Sequence, residues 1–329
     1  MSDPLVSVIV PVFNEENIIS RFLEVFLKQN YKNFEIIVVD GQSSDKTVSI
    51  VRDYIKIDKR VKIAFENPRT GLGNARNIGL SIAKGEIIKF EDADWIETDP
   101  DFLDDFVKVF KGNPDVMVVA RKRRMNLKGI SRFEKLFALF NLTMRTYPKW
   151  GFPGYYMAYR KVFLEKVGYF KPKLFWGEEK DYLKRVLDLN PKIIMGNPFY
   201  STSDIHFFAD FPKRYRSYGR NFFDYESTNV SKLTFIYPLA SLFCIFIPIL
   251  LFSAFIFPQL FLYGISAFVL LLVAVYFISI KRMRTEKISK KDRLLALFLP
   301  FLVLIQGWSF IYGLLEGLIK KFKNYYTKR

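Results

Sequence analysis

Three runs rich in β-branched and aromatic residues, Val6–Val12, Phe34–Val39 and Val61–Phe65, alternate with segments of helical periodicity, and this alternation constrains the fold most. The first run is bounded by Pro11 and Asn14 and the second ends at Asp40, so both read as buried strands. Between them, Ile18, Ile19, Phe22, Leu23, Phe26 and Leu27 share one face of a helix predicted over Asn17–Gln29. Ser43-Ser44-Asp45 offers the start of a second helix over Lys46–Ile57. Strand, helix, strand, helix, strand means a parallel sheet with crossover helices. Gly71-Leu72-Gly73-Asn74-Ala75-Arg76-Asn77 then reads as a loop entering a helix that reaches Ala83, followed by a strand over Gly85–Phe90.

That strand runs into Glu91-Asp92-Ala93-Asp94. Two carboxylates one residue apart at a strand's carboxyl end can both face a divalent cation, and a cation there can hold a diphosphate. Open parallel sheets bind ligands outside the carboxyl ends of their strands. Asp40, Asp92 and Asp94 all fall at such ends. Taken singly, a carboxylate that ends a strand is usually a turn residue or a helix cap. The Gly71-Leu72-Gly73 loop lacks a phosphate-loop Lys-Ser/Thr and the full dinucleotide spacing.

At 329 residues and half hydrophobic, the chain can fill a core and still spare apolar surface. The surplus is C-terminal: Leu233–Ile280 carries no charged residue, and Leu294–Ile319 carries only Glu316. The expectation is a multi-pass cell-membrane protein with a cytoplasmic head. It divides as a head over 1–220, a basic and polar linker over 221–232, a transmembrane hairpin over 233–280, a basic cytoplasmic loop over 281–293 and a basic tail over 320–329. The hairpin pairs Leu233–Phe257 with Leu260–Ile280 around Pro258-Gln259. For 294–319, length allows a third span, but export of Lys320, Lys321 and Lys323 opposes the positive-inside rule. Pro300, Gln306, Gly307, Gly313, Glu316 and Gly317 also interrupt that stretch, which favours an interfacial or re-entrant segment.

The formal charge of +17 lies largely beside the apolar segments, which argues for anionic headgroups and against nucleic acid. Arg121-Lys122-Arg123-Arg124 reads likewise as a membrane-facing surface. The single Cys244 excludes an intrachain disulfide framework and suits a reducing, cytosol-facing head. Met1-Ser2-Asp3-Pro4 runs into the first strand with no leader pattern, so the head is expected to stay where it is made.

Taken in order, Pro11-Val12-Phe13-Asn14-Glu15, Val38-Val39-Asp40-Gly41 with Ser43-Ser44-Asp45, Ala75-Arg76-Asn77 with Gly79, Gly85-Glu86, and Asp92-Ala93-Asp94 resemble the family 2 glycosyltransferases. The resemblance covers roughly Leu5–Arg220 and implies an α/β head of GT-A fold, Rossmann-like with a mostly parallel sheet. It implies that Pro11, Phe13 and Glu15 line a nucleoside pocket, that Asp40 meets the base, and that Arg76 lies near the nucleotide. Of the Asp-x-Asp pair, it places Asp94 on a divalent metal, Mg2+ or Mn2+, and leans Asp92 toward the ribose. Trp176-Gly177-Glu178-Glu179-Lys180-Asp181 resembles the family's acceptor-side motif, with Trp176 and Asp181 on the acceptor side. Glu179 there takes the place of the catalytic base, with Glu178 as the alternative. His206 is the only histidine, either a further metal ligand or a packed loop residue. Lys213 to Arg220 contains no Gln-x-x-Arg-Trp, the signature of the family's processive synthases, which disfavours a long-chain polymerase.

The expected function is transfer of a sugar, with inversion, from a nucleotide-diphosphate sugar to a hydroxyl of a lipid-linked glycan at the cytoplasmic face. The rivals are a polyprenyl-phosphate glycosyltransferase, whose anionic acceptor needs no base, and a non-catalytic membrane scaffold retaining the fold.

Overall fold

A computed structural model describes residues 3–97, 99–125, 157–172, 178–203, 207–220 and 288–326, with isolated positions and short stretches between 132 and 284. The chain divides into two units, one of Met1–Asn126 with Tyr147–Ile205, the other of Leu127–Thr146 with His206–Arg329.

The first unit is built on an eight-stranded mixed sheet of β1 (Val6–Val12), β2 (Phe34–Asp40), β3 (Val61–Phe65), β4 (Ile87–Phe90), β5 (Trp95–Glu97), β6 (Val118–Met125), β7 (Met157–Arg160) and β8 (Ile193–Ser203). Their order is β3-β2-β1-β4-β7-β6-β8-β5. Every residue of β1 and β2 is buried, which is why both read as unbroken apolar runs. β1 lies between β2 and β4 and pairs parallel with both, Val8 opposite Ile36 on one side and Lys89 on the other. β1 and β2 therefore end together, Val12 opposite Asp40, whereas β4 ends earlier, at Phe90 opposite Ile9. The expected parallel arrangement holds for β1 to β4, and beyond β4 the sheet changes character. β7 runs antiparallel to β4 and β6, placing Tyr159 opposite Ile88 and Val118.

Helices α1 (Ile19–Leu27), α2 (Thr47–Ile57), α3 (Leu72–Ile82), α4 (Phe102–Gly112), α5 (Lys161–Val167) and α6 (Glu178–Asp188) belong to this unit. Phe22 and Phe26 of α1 stack at 4.5 Å, and Phe102 meets both Phe26 and Phe106 edge-on at 6.2 and 5.2 Å. Full burial of each such ring contributes about 1.5–3 kcal/mol. Gly79 lets α3 lie close on the sheet: a Cβ there would collide with Ile9 and meet Val39 at 3.3 Å. The close approach brings Arg76, one turn earlier, down to the strand ends.

Arg121 is not part of the membrane-facing surface expected of it. Its side chain is buried, donating to Phe102 O at 2.9 Å, Asp105 Oδ2 at 2.6 Å and Asn197 O at 2.8 Å. The strand turns Arg121 inward, where Asp105 and two carbonyls replace its water.

In the second unit, α7 (Phe207–Arg220), α8 (Lys290–Arg293), a 3-10 turn (Leu294–Phe298) and α9 (Leu299–Tyr326) are described. Helix α7 precedes the expected head boundary at 220 but groups with this unit. The residues expected to interrupt 294–319 do not break the helix, because α9 runs unbroken through them. Pro300 falls in its first turn, where no intrahelical donor is lost. Gly313 and Gly317 lie against the α7 backbone, where a Cβ would strike the carbonyls of Arg216 and Arg220. Glu316 accepts from Arg216 Nε at 2.9 Å and pairs with Arg220 at 3.2 Å. Among the described residues no helix is long and apolar enough to cross a membrane. The expected span Leu233–Phe257 lies outside the described residues, as does most of Leu260–Ile280.

Candidate active site

The turn after β1 is stitched to the start of α2. Asn14, at φ 55°, donates its N–H to Ser43 Oγ at 2.9 Å, and its side-chain oxygen accepts from Ser44 N at 2.8 Å. Glu15 N donates to Thr47 Oγ1 at 2.8 Å, and Glu16 N to Asp45 Oδ2 at 3.1 Å. The Pro11-to-Glu15 motif and the Ser43-Ser44-Asp45 motif are thus two halves of one backbone structure. It leaves Phe13 37% exposed at the strand ends.

Asp40 is 1% exposed, and its Oδ1 accepts from Ser43 N at 3.0 Å. Its Oδ2 is buried without a hydrogen-bond partner. A buried carboxylate oxygen left unpaired costs free energy unless a ligand supplies the donor. Beside it, the Arg69 guanidinium lies over the Phe13 ring at 3.4 Å from the centroid, and its Nε would be 3.3 Å from a Cβ at Gly41. Sequence reasoning missed Arg69, which sits in an irregular segment without periodicity. Glu66, also missed, fixes the entry to α3 by accepting from Thr70 N, Gly71 N and Asn74 Nδ2 at 2.7 to 3.0 Å. Burial pushes its carboxyl up, but these bonds together with that from the Thr70 hydroxyl hold it below its usual value.

Arg76 is the centre of the site. Its side chain is 1% exposed, and it reaches Glu178 Oε1 at 2.9 Å, Asp92 Oδ1 at 3.0 Å and Glu179 Oε1 at 3.3 Å. Its neighbour Asn77 clamps the Phe170 backbone in both directions at 2.8 Å, and Phe170 stacks on Tyr182 of α6 at 3.8 Å. The Ala75-Arg76-Asn77 motif thereby ties α3 to the start of α6.

Residues 7–168 match the family described as Glycosyl transferase family 2. The match covers just under half of the chain, from the start of β1 to the end of α5. A Haemophilus influenzae protein described as an uncharacterized glycosyltransferase is 43% identical over 94 residues, 29% of this chain and 38% of its own length. The Escherichia coli UDP-Glc:alpha-D-GlcNAc-diphosphoundecaprenol beta-1,3-glucosyltransferase WfgD is 41% identical over 98 residues, again 29% and 38%. The alignments therefore span well under half the length of these curated relatives. The mannosyltransferase PcManGT from Pyrobaculum calidifontis, solved with GDP-Man and Mn2+, shares the fold at a TM-score of 0.54 and 20% identity, over 97% of this chain and 88% of that one.

Beyond the matched segment, at the start of α6, Glu178 and Glu179 differ in environment. Glu178 is buried against Arg76, whereas the Glu179 side chain is 26% exposed. Burial pushes the Glu179 carboxyl up, and Glu178 and Asp92 add to this against the pull of Arg76, raising it to about 8. Burial draws the Arg76 guanidinium down, and the charges of Asp92, Glu179 and Glu178 more than reverse that. One cation serves three carboxylates, so the cluster is net negative and suited to a proton or a metal.

Asp92 and Asp94 are both half-buried where the sheet ends. Among the described residues no three potential ligands converge as a preformed cage. That donor set still fits Mg2+ or Mn2+, since such ions are commonly held by one or two carboxylates together with substrate phosphates. Asp181 faces Arg185 Nε and Lys171 Nζ, each at 3.0 Å. Trp176 and His206 lie outside the described residues.

Proposed function

We propose that this protein is a metal-dependent, inverting glycosyltransferase that moves a sugar from a nucleotide-diphosphate sugar to a hydroxyl of a lipid-linked glycan. The observation that carries the reading is the Arg76 junction, which ties Asp92 of the nucleotide side and Glu179 of the acceptor side to one guanidinium. A base and a leaving-group site held in one rigid cluster is what a single in-line displacement requires.

In this reading the base of the nucleotide lies at Phe13 and donates an N–H to Asp40 Oδ2. Pro11 and Glu15 complete the nucleoside wall. Glu179 takes the proton of the acceptor hydroxyl as that oxygen attacks the anomeric carbon. The bond from that carbon to the diphosphate oxygen breaks, and the nucleoside diphosphate leaves with the electron pair. A divalent ion held by Asp94 and Asp92 would stabilise the charge gathering on the departing diphosphate. Arg76 keeps Asp92 and Glu179 in register, and Glu178 holds Arg76.

The uncharged run Leu233–Ile280 supports anchoring as a hairpin, with the domain on the cytoplasmic face of the cell membrane. The diphosphoundecaprenol-linked acceptor in the name of the WfgD relative supports a lipid-linked acceptor. The reading is tested by incubating the full chain with a panel of nucleotide sugars and Mn2+, with and without a chelator, and measuring nucleoside diphosphate release. Chelator-sensitive release from one donor class, lost in Asp94→Ala, is expected. No release from any donor would contradict it.

A further inference from the structure

The second unit carries an apolar face that the proposed chemistry does not use. Ile305, Trp308, Tyr312, Leu315 and Ile319 recur along α9 at alternating spacings of three and four residues, each 40–56% exposed. Such spacing keeps them on one side of the helix. The opposite side is occupied, since Gly313 and Gly317 are pressed against α7. Leu294, Leu297 and Phe298, all more than half exposed, extend the apolar surface ahead of the helix. Val269, Leu270, Val273, Phe277 and Ile278 add further exposed apolar surface to the same unit. A contiguous apolar face of this kind marks a surface that meets a membrane or a partner.

Charge identifies the occupant. Lys290, Lys291 and Arg293 stand just before the stripe, and Lys320, Lys321 and Lys323 just after it. The acid within it, Glu316, is turned to Arg216 and Arg220. A second copy of the helix, parallel or antiparallel, would bring like charges together at both ends. An anionic phospholipid surface is complementary to both ends at once, and Trp308 and Tyr312 suit the boundary between headgroups and acyl chains.

We propose that α9 lies flat in the interface of an anionic bilayer, with Ile305, Trp308, Tyr312, Leu315 and Ile319 toward the acyl chains and the Arg216–Glu316–Arg220 cluster on the protein side. This deepens the membrane part of the proposed function and rests on it.

The test uses the full chain in a Cys244→Ser background, with spin labels on Ile305→Cys, Trp308→Cys, Tyr312→Cys, Leu315→Cys, Ile319→Cys and, as an off-stripe reference, Ser309→Cys. Protein is reconstituted into vesicles of phosphatidylglycerol and phosphatidylcholine, recovered by flotation, and collision rates with oxygen and with a polar nickel chelate are measured. The five stripe labels should favour oxygen over nickel at least several-fold more than the label at 309. Labels at 305 and 319, about 21 Å apart along the axis, should sit at the same depth. A depth difference of about 20 Å would establish a spanning helix and overturn the proposal. Stripe labels as open to nickel as the one at 309, or spin–spin broadening between copies at 312, would overturn it too. A chain that does not float removes the membrane reading with it, whereas nucleoside diphosphate release is scored separately and fails or stands on its own.

Discussion

Arg76 donates to Glu178 across 2.9 Å although the two residues stand 102 positions apart, and the same guanidinium holds Asp92 at 3.0 Å. Removing a buried cation from such a cluster leaves its carboxylates uncompensated, at a cost of about 3–5 kcal/mol. Arg76→Met should therefore lose most of the thermal stability of the domain, and Arg76→Lys should lose less while still depressing turnover. Thermal denaturation of the ligand-free chain and steady-state rates measure the two effects.

Glu179 predicts a pH dependence whose sign follows from its raised carboxyl, about 8 in the folded chain against an ordinary 4.5. The folded state binds the extra proton, so this contribution to stability is fully present below about pH 4.5 and is lost as pH rises through about 8. Relative to Glu179→Gln, the ligand-free wild type should lose stability over that window and no more above it. If Glu179 is the base, kcat/KM should rise over the upper part of the same window and level off. Melting temperature and rate against pH, in wild type and Glu179→Gln, check both.

Asp40 should show opposed effects on binding and stability. Its unpaired, buried Oδ2 is a cost in the free protein and, in the proposed function, accepts an N–H from the base of the nucleotide. Asp40→Asn should weaken nucleoside diphosphate binding by about 10- to 100-fold, the range of one lost charge-assisted bond. Its melting temperature should stay level or rise. Titration calorimetry and thermal denaturation read the two separately.

Asp94→Ala should abolish the gain in nucleotide affinity that Mn2+ provides, because one carboxylate leaves the ion too few fixed oxygens. Asp92→Ala should weaken it less. Equal affinity of wild type and Asp94→Ala in the presence of Mn2+ would remove Asp94 from the site.

Much of the sheet's parallel half was legible because a strand covered on both faces leaves an unbroken apolar run, and the limits read for β1 and β3 are those observed. The turn of β7 against β4 was not, since its pairing joins Ile88 to Tyr159 and no local pattern encodes an antiparallel neighbour that far along the chain. The role of Arg76 was hidden for the same reason: an arginine in a polar loop-helix motif looks exposed until Glu178 arrives from α6. Arg121 misled because three basic neighbours suggested a surface, whereas the strand turns it toward Asp105. Arg69 carries no sequence signal at all, and only the folded chain lays it on Phe13.

In the proposed mechanism Glu179 removes a proton from an acceptor hydroxyl while Glu178 only holds Arg76. The most direct measurement is sugar transfer by Glu179→Gln to a hydroxyl-bearing lipid-linked glycan, with donor affinity and melting temperature determined in parallel. Loss of a general base predicts a fall in kcat of about 10²–10⁴, with donor affinity and fold retained. A Glu179→Gln enzyme that keeps more than about a tenth of wild-type kcat would exclude Glu179 as the base and favour an acceptor, such as a polyprenyl phosphate, whose nucleophile is already anionic.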